Sequence, residues 1–168
     1  ANITNNLGAI YKEWGKYYKA LEFYKKSLAY RSQINDLIGK ASTCHNIGIV
    51  YEDLGNFNNA VDWVIKGLNI KKRIGAESKL SISLIKLGDI YQTWGKFELA
   101  ADYYNQGIVY ADKVGDKIST GNALVGLGNV FSDTEIYPKA LSVYHEAAKI
   151  FEQTNSKKEL AETYCELG

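Results

Sequence analysis

Residues 7–24 read Leu7-Gly8-Ala9-Ile10-Tyr11-Lys12-Glu13-Trp14-Gly15-Lys16-Tyr17-Tyr18-Lys19-Ala20-Leu21-Glu22-Phe23-Tyr24, and this stretch returns three times at a spacing of 40 residues. The later copies open on Ile47-Gly48, Leu87-Gly88 and Leu127-Gly128, and the start of another ends on Leu167-Gly168. Aromatic residues follow at Tyr11, Tyr51, Tyr91 and Phe131, then glycine at Gly15, Gly55 and Gly95. Tyr17, Phe57, Phe97 and Tyr137 come next, then Ala20, Ala60, Ala100 and Ala140. The columns close on Tyr24, Val64, Tyr104 and Tyr144, and on the small residues Ser27, Gly67, Gly107 and Ala147. A repeat of this length is one supersecondary unit that buries its apolar face only against its neighbours.

The spacing within a copy is helical. Leu7, Gly8, Tyr11 and Trp14 fall on one face of a 3.6-residue period, and Ala20, Tyr24, Ser27 and Leu28 fall on another. Gly15 between them fits a left-handed helix stop. Gly8 and Ala20 are expected where the two helices cross closely, because an interior glycine costs about 1 kcal/mol and needs a packing reason. Asn35-Asp36, Gly75-Ala76, Gly115-Asp116 and Asn155-Ser156 mark turns between copies. First (A) helices are therefore expected over about 1–14, 38–54, 77–94 and 117–134. Second (B) helices are expected over 17–33, 57–73, 97–113 and 137–153, with a last helix from about 157. Pro138 sits in the first turn of a B helix, where its missing N–H is tolerated.

The order Leu-Gly-x-x-Tyr, Gly, aromatic, Ala, Tyr, small residue is similar to the tetratricopeptide-repeat (TPR) motif. The 40-residue period resembles the long form found in kinesin light chains, spindle-orientation adaptors and many bacterial regulators. The resemblance implies an all-α fold, a right-handed superhelical solenoid of antiparallel helix pairs. It implies a single domain over 1–168, with repeats 1–40, 41–80, 81–120, 121–160 and the start of a fifth at 161–168. The fourth copy departs from the motif at Thr134 and Glu135, so its A–B turn is expected to be looser or differently shaped. The chain has no Met, and a fragment of a longer protein is the expectation.

In such arrays the A helices line a concave groove. With Leu7, Gly8 and Tyr11 facing the core, the opposite side of each A helix carries positions 2, 5, 6, 9, 12 and 13. The resulting peptide-binding candidates are Asn5, Asn6 and Glu13 from the first copy and His45, Asn46, Ile49, Glu52 and Asp53 from the second. The third supplies Ile85, Lys86 and Asp89, and the fourth Asn122, Asn129 and Asp133. Asn6 and Asn46 precede the Leu-Gly pair, where the long-repeat resemblance implies an asparagine reaching a bound peptide's main chain. Lys86 and Gly126 replace it later. Glu13, Glu52, Asp53, Asp89 and Asp133 make an acidic row, which points to a peptide carrying Lys or Arg. Ile49, Ile82, Ile85 and Val125 are expected to form its apolar floor. The groove lysines needed to clamp a C-terminal carboxylate are not seen.

Other chemistry has little to stand on. The sequence contains no phosphate-binding loop, no GxSxG and no HExxH, so no catalytic residue and no cofactor is expected. His45 and His145 are too far apart for a metal site, and Cys44 reads as a core thiol. The net charge of +1 argues against a nucleic-acid surface, and no apolar run is long enough for a membrane span. Cys44 and Cys165, without a CxxC pair, suit a reduced, cytoplasmic setting.

The expected function is a non-catalytic protein- or peptide-binding scaffold within a larger regulatory protein. One alternative is self-association through the array ends. Residues 1–40 hold seven basic against three acidic residues, and residues 121–168 hold four against seven. The other is a regulatory domain of an enzyme encoded elsewhere in the parent chain.

Overall fold

Among the described residues, every turn between successive α-helices contains a residue bent into the left-handed region. Gly15, Gly55, Gly75, Gly95 and Gly115 have φ between 67° and 74°, and Asn35, Glu135 and Asn155 have φ of 53°, 61° and 54°. Glycine takes this conformation without penalty, and the tight turn that follows lets the next helix fold back. In a computed structural model, residues 1–167 form helices α1 (Asn2–Glu13), α2 (Tyr17–Gln33), α3 (Leu37–Asp53), α4 (Phe57–Arg73), α5 (Leu80–Thr93), α6 (Phe97–Val114), α7 (Lys117–Asp133), α8 (Tyr137–Gln153) and α9 (Lys157–Leu167). Gly168, the last residue of the fifth Leu-Gly pair, lies outside the described residues.

Helix starts follow side-chain caps where the sequence supplies them. The carboxylate of Asp36 accepts from the Gly39 N–H at 2.8 Å, and that of Asp116 accepts from the Ser119 N–H at 3.1 Å. Such caps contribute about 1 kcal/mol each. The equivalent residue before α5 is Ala76, which has no cap to offer. There the chain makes a single 3-10 turn over Glu77–Lys79, and α5 begins at Leu80 rather than near residue 77. Lys113 anchors this turn through Glu77 at 3.0 Å.

Contrary to expectation, the fourth A–B turn has the same shape as the others. Glu135 N–H donates to Ser132 O at 2.9 Å and Ile136 N–H to Phe131 O at 2.7 Å. Gly15 N–H and Lys16 N–H make the same pair of bonds to Lys12 O and Tyr11 O, both at 2.8 Å. Backbone hydrogen bonding holds Glu135 in a conformation its side chain disfavours.

The helices group into two compact units, Ala1–Ala76 and the residues from Glu77 onward. In the first, α1 packs on α2, α2 on α3, and α3 on α4. Ala20, Leu21, Tyr24, Ile47 and Val50 form its core, with Tyr11, Tyr17, Tyr51 and Leu54 packed against them. In the second, α5 to α9 pack in the same sequential way, around Ala100, Tyr104, Leu127 and Val130 and around Leu124, Ala147 and Phe151.

The glycine of each Leu-Gly pair makes room for a ring more often than for Ala20 and its equivalents. A Cβ on Gly8 would stand 2.8 Å from the Tyr24 ring, one on Gly88 2.6 Å from Tyr104, and one on Gly128 2.5 Å from Tyr144. The close helix crossing survives in the second copy, where the B helix carries Val64 instead of tyrosine. A Cβ on Gly48 would meet Val64 at 2.5 Å and the Ala60 carbonyl at 3.1 Å.

Candidate peptide-binding faces

In the first unit, α1 and α3 bring part of the expected set together. Asn5 Oδ1 accepts from Asn46 Nδ2 at 3.4 Å and from Thr43 Oγ1 at 3.5 Å, so a carboxamide bridge spans the two A helices. Asn6 is exposed, and His45, Asn46, Ile49 and Glu52 are half-buried. Glu13 and Asp53 are exposed. Lys12 lies 2.8 Å from Glu13. Its pKa is raised, first by that hydrogen bond and further by the nearby charge of Asp53. The acidic row here is thus partly neutralised by a lysine of the same face.

In the second unit, α5 and α7 carry a connected polar network. Lys86 Nζ stands 3.6 Å from Asp89. The Tyr104 hydroxyl donates at 2.8 Å to Asp89 Oδ1, with Gln92 Oε1 also within reach at 3.0 Å. Gln92 Nε2 then donates to Asp133 Oδ2 at 2.7 Å, which ties α5 to α7. In the fourth copy Asn129 Oδ1 accepts from the Tyr144 hydroxyl at 2.6 Å. Asn122 is exposed. Ile85 points its side chain inward, against the Tyr104 core cluster and 3.1 Å from where a Cβ on Gly107 would lie. Val125 likewise packs on the Leu124–Phe151 cluster. Ile82 alone of that apolar set in this unit is exposed, at 48%.

Gly126, which the spacing places on the outer face of α7, is buried instead. A Cβ there would stand 2.4 Å from Cε1 and Cζ of Tyr104. The ring is thereby held between Gly88 of its own repeat and Gly126 of the next.

Sequence reasoning misses the two tyrosines as determinants of the face, because their column reads as core. A signal does exist. A buried phenol requires a hydrogen-bond partner, and polar residues at position 9 (Asp89, Asn129) occur in the two copies of this unit with tyrosine at position 24. The second copy pairs Ile49 with Val64. Burial pushes the Tyr144 hydroxyl up to about 12 and also raises that of Tyr24.

Arg31 is the other residue the columns do not reveal, since Lys71, Ala111 and Phe151 stand at its position. It is only 9% exposed. Its guanidinium donates to Asn2 Oδ1 at 2.9 Å, Asp36 Oδ2 at 2.8 Å and Ser27 Oγ at 3.3 Å. It fixes the start of α1 to the α2–α3 turn from beneath the face.

The sequence profile of the tetratricopeptide repeat matches residues 1–73 and 40–108. The chain belongs to the tetratricopeptide-repeat family. Solved structures agree on the fold. The TPR protein is similar to BtubC from P. vanneervenii, with 20% identity over 92% of this chain and 64% of that one, at a TM-score of 0.79. It is similar to a signal-transduction ATPase with a tetratricopeptide-repeat sensor from Pyrococcus horikoshii, with 24% identity over 96% of this chain and 25% of that one, at a TM-score of 0.84. A kinesin-light-chain-like protein of P. anserina with TPR-like repeats gives 17% identity over 97% of this chain and 84% of that one, at a TM-score of 0.72. The TPR chain thus spans less than two thirds of the length of the first two. A comparison with curated proteins gives no match.

Tetratricopeptide-repeat proteins are in general scaffolds for protein–protein interaction rather than catalysts. Among the described residues, no three His, Cys, Asp or Glu side chains gather as a metal-holding group. No described helix is long and apolar enough to cross a membrane. Cys44 is buried, which raises its thiol pKa, and Cys165 is exposed.

Proposed function

We propose that this protein is a non-catalytic cytoplasmic scaffold whose A-helix faces bind a partner polypeptide carrying Lys or Arg. The observation that carries the reading is the exposure of Glu13, Asp53 and Asp133 on the outward sides of α1, α3 and α7. A solvated carboxylate on each unit's A-helix face, Asp53 in the first and Asp133 in the second, suits a basic peptide, whereas Glu13 is already paired with Lys12 at 2.8 Å. Ammonium and guanidinium groups find acceptors there, and Asn46 and Asn6 offer donor and acceptor to its main chain. Asn5 holds Asn46 in place, so that carboxamide is preorganised.

The test is peptide-display selection on the parent, run beside a variant carrying Asn46→Ala, Asp53→Ala and Asp133→Ala. Enrichment of basic peptides by the parent alone supports the reading. Equal binding of those peptides to both proteins sinks it.

A second reading, self-association, rests on α1. Ile3, Ile10 and Trp14 are 77%, 45% and 65% exposed. The α3 equivalents of Ile10 and Trp14 are Val50, a member of the core cluster, and Leu54, which packs against it. Light scattering across a concentration series tests it, and a mass that stays monomeric throughout rules it out.

A further inference from the structure

Inside each unit one contact between copies recurs. Position 10 of a copy packs with positions 17 and 21 of the copy before it, joined in the first unit by position 14. There Val50 and Leu54 share a cluster with Tyr17 and Leu21. In the second unit Val130 shares one with Phe97 and Ala101. The contact excludes water at its centre, where Val50 is 0% exposed and Leu21 5%. Two halves of it are left over. The first copy supplies positions 10 and 14, and Ile10 and Trp14 are exposed. Trp14 stays open although Lys16 Nζ stands 5.3 Å from its ring centroid. The fourth copy supplies positions 17 and 21, where Tyr137 and Leu141 are 56% and 47% exposed, and Ile136 beside them is also exposed. α9 does not cover this pair. Its Leu160 packs on the cluster of Ala147 and Phe151, further along α8, and its last described residue, Leu167, stands at position 7 of the register.

We propose, building on the self-association reading, that a second copy of this chain joins these two halves head to tail. Ile10 and Trp14 of one copy then lie on Tyr137 and Leu141 of the next, as Val50 and Leu54 lie with Tyr17 and Leu21 within one chain. Each half consists of apolar side chains uncovered at positions that the fold buries elsewhere, so each loses water-exposed area by taking the other. Charge decides for this pairing over two α1 helices meeting face to face. Residues 1–40 hold seven basic against three acidic residues, and residues 121–168 hold four against seven. Lys16 and Lys19 are exposed beside Trp14, whereas Glu135 is exposed beside Ile136. A symmetric α1–α1 contact sets basic against basic, and the head-to-tail contact sets basic against acidic. A heterologous contact uses a different patch on each partner, so mutation can remove the two halves separately. None of these four side chains belongs to the basic-peptide set.

The test is light scattering of the full chain and of two variants, Trp14→Asp and Leu141→Asp, across a concentration series. The parent is expected to grow in mass with concentration. Each variant alone lacks one half of the contact and is expected to associate at least about tenfold more weakly. An equimolar mixture holds one intact half on each protein. It is expected to recover association, as a one-to-one dimer of about twice the 18.8 kDa monomer mass. Trp14→Ser and Leu141→Ser take their place if an aspartate variant loses helix by circular dichroism. A parent that stays monomeric overturns the self-association reading and this contact together. Leu141→Asp associating as well as the parent overturns the head-to-tail contact alone and leaves α1 as the self-associating face. A mixture no larger than its separate components likewise overturns it.

Discussion

Gly126→Ala adds one carbon to α7, and the surroundings of Tyr104 decide whether that stabilises or destabilises. In an open helix position alanine is favoured over glycine by about 1 kcal/mol. Here the new Cβ would stand 2.4 Å from Cε1 and Cζ of the Tyr104 ring. The ring has nowhere to go. On its other side it lies over Gly88, with ring atoms 2.6 Å and 2.7 Å from where a Cβ would stand there. Its hydroxyl is held by Asp89 at 2.8 Å and Gln92 at 3.0 Å. Overpacking of this kind costs roughly 1–3 kcal/mol, and a displaced hydroxyl adds about 1 kcal/mol for the hydrogen bond lost. The sum exceeds the propensity gain, so a net loss of about 1–3 kcal/mol is expected. Gly107→Ala in α6 is the control. Its nearest neighbour is Ile85 Cγ1 at 3.1 Å, followed by the Ile85 backbone nitrogen at 3.7 Å. A side chain able to yield by a few tenths of an ångström leaves most of the propensity gain, so this variant is expected between neutral and about 1 kcal/mol more stable. Urea unfolding followed by circular dichroism reads both. A Gly126→Ala protein as stable as the parent would refute the gripped-ring account.

Glu135→Gly relieves a left-handed residue at φ 61°. The strain is roughly 1–2 kcal/mol and the entropic cost of glycine roughly 0.5–1 kcal/mol, so a gain of about 0.5–1 kcal/mol is expected as a higher urea midpoint. An unchanged midpoint would show that the turn is unstrained. Arg31→Met strips Asp36 and Asn2 of a buried donor and is expected to cost about 2 kcal/mol, with faster amide exchange at the starts of α1 and α3. Unchanged exchange there would exclude the strut role. Tyr144, pushed up to about 12 from an ordinary value of 10.0, is neutral in the fold where the unfolded chain ionises. Its stabilisation is complete below pH 10 and is lost as the pH rises from 10 towards 12, on the order of 2 kcal/mol. Alkaline melts of the parent and Tyr144→Phe should therefore converge across that window, and parallel curves would contradict it.

The repeat was legible because packing imposes fixed spacings. A glycine every 40 residues at the Leu-Gly pair can only mean a close approach, and the structure has one at Gly8, Gly48, Gly88 and Gly128. Spacing does not say which atom fills the space, so Ala20 was the expected neighbour of Gly8 where the Tyr24 ring is found. Helix starts were legible at Asp36 and Asp116 because a cap is a local bond. The start of α5 was not, because Ala76 removes the cap and only the three-dimensional course of the chain reveals the 3-10 turn. Thr134 and Glu135 were legible as departures. Their effects separate only in the structure, since Glu135 preserves the turn while the Thr134 hydroxyl bonds back to Val130 O at 2.8 Å. Arg31 left no trace at all, as its partners Asn2 and Asp36 come from two other segments.

The tyrosines at positions 104 and 144 change what the acidic face of the second unit means. Phenylalanine would bury as much carbon, so the hydroxyl must be accounted for by where it reaches. It reaches Asp89 and Gln92 in one repeat and Asn129 in the next, so core residues fix the orientation of face residues. A partner's cation approaching Asp89 meets a carboxylate that already accepts from Tyr104 and lies 3.6 Å from Lys86. Binding there exchanges one set of charge-assisted bonds for another, and the net gain falls well below that of a solvated carboxylate meeting a new cation. Asp133, exposed and held through the Gln92 amide at 2.7 Å, keeps its negative charge uncompensated by that neutral donor. On the proposed basic-peptide reading, the stronger electrostatic contribution in this unit is therefore expected from Asp133. Asp89→Ala is expected to lower stability by about 1 kcal/mol, because it removes the nearer of the two acceptors of the Tyr104 hydroxyl and leaves only Gln92 Oε1 at 3.0 Å of that pair. Asp133→Ala is expected to weaken binding of basic peptides at unchanged stability, and a stability loss equal to that of Asp89→Ala would show that both carboxylates serve the fold.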